Sequence, residues 1–296
     1  MDRARGKGQD IRVLDEGTVI VDRGPMLMSI SVSNRGIPRI ELAREGGKRA
    51  LETLGVLAGY KYIIKRRIGR ITSIDSFPHL IKKMVLAVRK FDDPTATPLI
   101  AVAGAGADDV ADFVYHTGQA DKVVVNNGGD IAIRLKGRES VRVGIKSDIT
   151  ERAISHVLTV TANSGIRGVA TSGFGGRSFT RGVANAAVAV ANDAISADVA
   201  ATLLGNATEI DSPNVAKTRA VTLYESTDIP DLLVTKDIGR LTQSEIRQAL
   251  DRGMARAGIF QEKKLIIGAV LAVKDHIEVS ESIAPFVQTV CGLVAV

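Results

Sequence analysis

Apolar positions along the chain fall into short runs, some alternating with polar residues and some repeating at helical spacing. Alternation at 18–21 and 27–33 predicts two strands. A long helical candidate at 39–65 follows, weakened by Gly46, Gly47, Gly55 and Gly59, with Pro38 suited to its first turn. Residues 78–89 read as a clearer amphipathic helix: Leu80, Met84, Ala87 and Val88 share one face, and Lys82, Lys83 and Arg89 lie off it. The apolar run 98–103 reads as a buried strand, Gly104-Ala105-Gly106 as the turn after it, and the stretch through Val110, Phe113 and Val114 as a helix. A second buried strand at 122–126 turns at Asn127-Gly128-Gly129-Asp130 into alternating strands at 131–135 and 141–146. Alternation returns at 156–162 and in a strand ending at Thr171-Ser172. Further strands are expected at 185–191, 218–223, 265–273 and 277–279. Further helices are expected at 193–204 and 241–257, the latter with Thr242 or Gln243 near its cap. Strands and helices interleave, with several hairpin-like pairs. That predicts an α+β fold, or a mixed-sheet α/β fold, rather than a purely parallel one. No repeat or low-complexity linker divides the chain. A charged tail at 1–10, expected to be disordered, precedes one domain over 11–296 with room for two lobes.

Composition removes several function classes. The 296 residues suffice to bury about three quarters of the unfolded surface, so no staples are needed. The single cysteine excludes a disulfide framework, an iron–sulfur cluster held by this chain alone and a cysteine-based zinc site. Cys291 sits in an apolar segment and reads as a buried, inert thiol. Aromatics are only 4% and tryptophan is absent, which argues against base-stacking platforms. The longest apolar run, 265–273, is far short of the ~20 residues a membrane span needs. The polar start MDRARGKGQD shows no leader and no lipid anchor, so the expected location is the cytoplasm. The net charge of +6 is uneven, with Lys61, Lys65, Arg66, Arg67, Arg70, Lys82, Lys83, Arg89 and Lys90 crowded together. A solvated basic face is the first reading and attraction of a phosphate-bearing ligand the second. Nucleic acid ranks last, because no binding motif accompanies the charge.

Four motifs carry candidate chemistry. Gly104-Ala105-Gly106 can present amides to a phosphate, yet Asp109 stands where a dinucleotide fingerprint needs its third glycine, and Asp108 repels an anion. A tight packing turn is therefore favoured there. Asn126-Asn127-Gly128-Gly129-Asp130 is a hairpin signal that also carries a carboxylate and two amides, with glycines that let backbone approach a ligand. Thr171-Ser172-Gly173 opens a glycine-rich loop carrying Arg177, a set of amides, hydroxyls and one guanidinium that suits a phosphate or pyrophosphate. Asp198 and Thr202 are i and i+4 in an otherwise apolar helix, so both oxygens share one face. A hard cation such as Mg²⁺ takes a carboxylate, a neutral oxygen, phosphate oxygens and water. The competing role for Thr202 is a bond back to its own helix backbone. The histidines His79, His116, His156 and His276 stand beside no nucleophile motif and read as structural or surface residues.

In order and spacing these motifs resemble the ApbE superfamily, the Mg²⁺-dependent FAD:protein FMN transferases and their relatives. The resemblance is carried by GGD at 128–130, TSG at 171–173 and AVAVANDAISADVAATLLGN at 187–206. It is closer still to the small, uncharacterised cytoplasmic UPF-type branch, echoed in TPLIAVAGAGADDVADF at 97–113, VVNNGGDI at 124–131 and ALDRGMARAG at 249–258. It covers about residues 75–275. The resemblance implies an α+β, T-fold-like domain with a mixed sheet packed against helices and with FAD or FMN in a cleft. It also implies Mg²⁺ on Asp198 and Thr202, and transfer of FMN to a Thr or Ser of a partner protein with AMP leaving. Asn127, Gly128, Gly129, Asp130, Thr171, Ser172, Gly173 and Arg177 would line the nucleotide. A homodimer is a family-level expectation.

Two departures qualify it. The transferases carry a histidine between TSG and the metal helix, where this chain has Arg177-Ser178-Phe179-Thr180-Arg181-Gly182. Their Lys-Gly pair corresponds to Gly104-Ala105. No catalytic residue is therefore assigned; an arginine is no base at neutral pH, but Arg177 or Arg181 can hold a phosphate or carboxylate. Two rival readings follow: a flavin-binding subunit or partner of a reductase acting on a small heteroaromatic acid, and a non-catalytic nucleotide-binding protein.

Overall fold

The alternating N-terminal segments form antiparallel strands β1 (Ile11–Val13), β2 (Thr18–Arg23) and β3 (Met26–Asn34), with a short β4 (Ile37–Pro38) beside β3. Val19, Val21, Met28, Ile30 and Val32 all point to the buried face, as period-two spacing requires. The structure, a computed structural model, describes residues 10–14, 17–150 and 153–294. The expected tail lies outside the described residues except for Asp10, which is tied to β2 through Arg23 and the amide of Asp22. The Cys291 side chain also lies outside the description.

Helices α1 (Ile40–Gly59), α2 (Lys61–Ile64), α3 (His79–Lys90) and α4 (Val102–His116) come next. Strands β5 (Lys122–Asn127), β6 (Asp130–Leu135), β7 (Ser140–Ile145), β8 (Ala153–Thr161), β9 (Gly168–Ser172) and β10 (Ala186–Ala191) lead into α5 (Ala194–Ala207). The chain ends with β11 (Val215–Arg219), α6 (Ala220–Leu223), β12 (Leu233–Ile238), α7 (Gln243–Glu262), β13 (Gly268–Val273), β14 (His276–Val279) and β15 (Val287–Val294). Asp193 caps α5 by accepting from the Ser196 amide, and Thr242 with Glu245 forms a capping box on α7.

The main sheet runs β1-β2-β3-β5-β6-β9-β10-β13-β14. Every described pair is antiparallel, so of the two expected architectures the α+β one is realised. Helix α1 covers β2 and β3, α4 covers β5 and β6, α5 covers β9 and β10, and α7 covers β13. The small sheet β15-β8-β7 closes the other face of the second half. Strand β10 shows how sequence sets this layering. Ala187, Ala189 and Ala191 face the helices and let α5 come close, while Val188 and Val190 fill the space toward the small sheet.

The structure corrects four local expectations. Residues 98–103 are not a strand: Pro98–Ala101 is a 3₁₀ turn leading straight into α4. Proline cannot donate to a ladder and suits a helix start, and a short run of Leu, Ile, Ala and Val fits either state. Gly104 and Gly106 therefore sit inside α4 rather than in a turn. The stretch 218–223 breaks after Arg219 into the single turn α6. Pro38 belongs to β4, and α1 begins at Ile40.

Candidate functional site

The polar motifs converge on a cleft of about 1020 Å³. Asn127, Gly128, Gly129 and Asp130 enter from the β5–β6 turn. Thr171 and Ser172 end β9, Arg177 comes from the loop beyond, and Asp198 and Thr202 come from α5. Leu54 and Leu57 of α1, Leu99, Ile100, Val143 of β7 and Ile154 of β8 supply apolar wall. Gly173 lines no part of it. Its φ of +151° and the Asn185 carbonyl, 2.6 Å from where a Cβ would sit, make it a packing residue beneath the loop.

Each polar group is held by local chemistry. Gly128 has a φ of +71° and Gly129 of +112°, the left-handed region a two-residue hairpin demands. The Gly129 amide donates to Asn126 Oδ1 at 2.8 Å. Asn127 donates through Nδ2 to the Ala103 carbonyl at 3.1 Å, pinning the turn to the start of α4. Arg177 is exposed on the rim, donates to the Pro25 carbonyl at 3.2 Å, and lies over Gly128.

The two acids on the cleft floor are the least compensated groups of the site. Asp198 Oδ2 accepts from the amides of Gly104 at 2.8 Å and Ala103 at 3.1 Å, the first-turn donors of α4. The α4 cap residue, Ala101, has no side chain to offer, so Asp198 caps α4 from α5. This contact requires the glycine: a Cβ on Gly104 would lie 2.2 Å from the Ala194 carbonyl oxygen. No described residue donates to Asp198 Oδ1, and the Thr202 hydroxyl has no described hydrogen-bond partner, so the bond back to its own helix is not made. Burial pushes Asp198 up to about 7 despite the two amides. Burial, and then the charge of Asp198, also push Asp130 well above the usual carboxylate range, with the Thr171 amide and the Arg177 charge opposing. Among the described residues neither acid makes an ion pair.

Two carboxyls that burial holds toward the protonated state, with no ion-pair partner and beside a free hydroxyl, form an oxygen-only set suited to a hard divalent cation with open positions. Among the described residues no three His, Cys, Asp or Glu side chains cluster as a complete metal cage. Any cation here would draw further ligands from water or a phosphate. The i,i+4 spacing of Asp198 and Thr202 was visible in the chain. The approach of Asp130, 68 positions earlier by residue number, had no sequence signal, nor had the apolar wall from α1, β7 and β8.

The comparisons agree with this architecture. The family model described as "AbpE bacteria" matches residues 13–279. A UPF0280 protein of Methanothrix thermoacetophila is 38% identical over 143 residues, covering 47% of this chain and 56% of the relative. A UPF0280 protein of Methanopyrus kandleri is 35% identical over 156 residues, covering 51% of this chain and 58% of the relative. The matched stretches thus span little more than half the length of these relatives. The apo flavinyl transferase ApbE of Pseudomonas stutzeri shares the fold with a TM-score of 0.51 at 12% identity, covering 91% of this chain and 96% of that one. The ApbE protein of Thermotoga maritima gives 0.50 at 14% identity, covering 91% and 98%. With the family model spanning both the β5–β6 turn and the α5 acid, the chain belongs to the ApbE family.

Proposed function

We propose that the cleft binds a flavin nucleotide, FAD or FMN, together with Mg²⁺, and that the chain passes FMN from FAD to a hydroxyl of a partner protein. The observation that carries this reading is the uncompensated pair Asp130 and Asp198, set beside the free Thr202 hydroxyl at the base of a dinucleotide-sized cleft. Asp198 Oδ1 and Thr202 would hold the metal, with phosphate and water completing its shell. Bound there, the cation supplies charge neutralisation at a pyrophosphate. Asn127, Gly128 and Gly129 bring backbone to the nucleotide, and Thr171 and Ser172 offer hydroxyls beside it. Arg177 on the rim suits a phosphate oxygen, and the leucine and isoleucine wall suits a flat ring. The names of the fold neighbours support the ligand class.

One observation favours binding without transfer, whether as a flavin subunit for a reductase of a small acid or as a nucleotide-binding protein. No histidine lines the described cleft. Incubating the chain with FAD, Mg²⁺ and a cell extract as acceptor decides between them. The transfer reading requires AMP to form in step with flavin that stays on a protein after denaturation. Flavin binding without AMP or protein-bound flavin overturns transfer and leaves the binding readings standing.

A further inference from the structure

A second, smaller cavity of about 180 Å³ adjoins the cleft, sharing Leu99, Ile100, Arg177, Ser178 and Thr202 with it. It has room for about six water molecules at ~30 Å³ each. Its charged lining is Lys65, Arg177, Arg181 and Asp228, a net excess of two positive charges. Asp228 is engaged by the Thr97 hydroxyl and Lys65 donates to the Ser226 carbonyl, so both are held in place.

Arg181 is the unexplained member. Its Nε is buried and makes no hydrogen bond, and the nearest carboxylate oxygen, Glu209 Oε2, is 3.9 Å away. The other oxygen of Glu209 is taken by Lys217. That nitrogen faces Glu209 in a long ion pair, and neither Nη of Arg181 has a described hydrogen-bond partner. Asn206 stands beside it. The Arg181 amide donates to Asn206 Oδ1 at 2.9 Å, which fixes the carboxamide orientation and leaves its Nδ2 donor with no described acceptor. A guanidinium and a carboxamide, both short of acceptors, thus line one wall of a small cationic chamber, with Lys65 as a further cation.

We propose that this chamber binds the oxyanion head, carboxylate or phosphate, of a second small ligand that lies alongside whatever occupies the main cleft. Arg181 supplies the planar donor pair such a head prefers. Asn206 Nδ2 adds a neutral donor and Lys65 adds charge. Asp228 is the only described acid in the lining, so an N–H or O–H on the rest of the ligand would face it. The site goes beyond the flavin reading, since its groups are not those that would hold a nucleotide or a metal, Arg177 and Thr202 at the shared border excepted.

The test is calorimetric titration of the full chain with two probes, benzoate and inorganic phosphate, each alone and in the presence of FAD. At least one probe should bind wild type. Arg181→Gln should weaken it about tenfold or more, ~1.4 kcal/mol, while FAD binding stays unchanged. Thermal unfolding reports whether Arg181→Gln is folded; Lys65→Gln, on a half-exposed side chain, should weaken the same probe and carries the test if it is not. Benzoate without phosphate assigns a carboxylate, and phosphate without benzoate assigns a phosphate ester. No binding of either probe, equal binding in both variants, or displacement of the probe by FAD would overturn the proposal.

Discussion

Helix α4 meets two buried acidic clusters, and they are built in opposite ways. In its middle, Asp108 and Asp112 close on Arg134. Arg134 is 3% exposed and gives Nη2 to Asp108 at 2.8 Å and Nε to Asp112 at 2.7 Å. Its Nη1 goes to the carbonyls of Ile133 and Arg167, and the second Asp108 oxygen accepts from the Ile195 amide. Burial pushes Asp112 up, but the bond and charge of Arg134 outweigh it and hold this acid below its usual range. At the N-terminus of the same helix, Asp198 has only amides for company and another acid, Asp130, as its charged neighbour. The first cluster has its counter-ion in place, although burial still pushes Asp108 above its usual range, and it joins α4, α5 and β6. The second is left short of positive charge and faces a cavity, the pattern expected where a ligand supplies the balance.

The largest expected effect falls on the closed cluster. Arg134→Met leaves the buried Asp108 carboxylate without its counter-ion, while half-buried Asp112 keeps Arg167 3.8 Å away; it should cost ~3–5 kcal/mol, read as a fall in the denaturation midpoint. Asp198→Asn, by contrast, keeps an oxygen for the Ala103 and Gly104 amides and removes the buried charge, so it should not lower the midpoint and should raise it above pH 7. Comparable losses in the two variants would erase the distinction between the clusters. Gly104→Ala comes next. Its methyl group meets backbone at Ala194, which cannot swing aside, so destabilisation of at least ~1–3 kcal/mol is expected. Gly128→Ala is smaller, ~1–2 kcal/mol for its left-handed backbone. Because the new methyl presses on Arg177, it should weaken FAD binding as well as stability.

The open cluster also has a pH signature. Folding raises Asp198 from about 4 to about 7, so the folded apo chain binds the extra proton between those values. Apo stability should therefore decline as pH rises through that window, and flatten above it. Mg²⁺ must displace that proton, so its stabilising effect should be larger at pH 8 than at pH 6. Thermal shift at the two pH values checks this, and Asp198→Asn should shrink the difference.

Local chemistry carried much of this into the sequence. The Asp198–Thr202 spacing, the Asn127–Gly129 turn and the Thr242 cap each depend on residues within four positions of one another, so pattern alone located them. The strand expected at 98–103 failed because a short apolar run does not state its period, and Pro98 settled it only in three dimensions. The sequence suggests a turn at Gly104, whereas its smallness serves a contact with Ala194, 90 positions away by residue number. The pairing of Asp130 with Asp198, and the chamber joining Lys65, Arg181 and Asp228, are products of topology. No local pattern encodes them.

The most direct test of the central claim is FAD calorimetry with and without Mg²⁺ on wild type and Asp198→Asn. The account predicts FAD binding that Mg²⁺ strengthens in wild type, and a loss of that Mg²⁺ dependence in a folded Asp198→Asn variant. FAD binding that ignores Mg²⁺, or a variant that responds as wild type does, would contradict it.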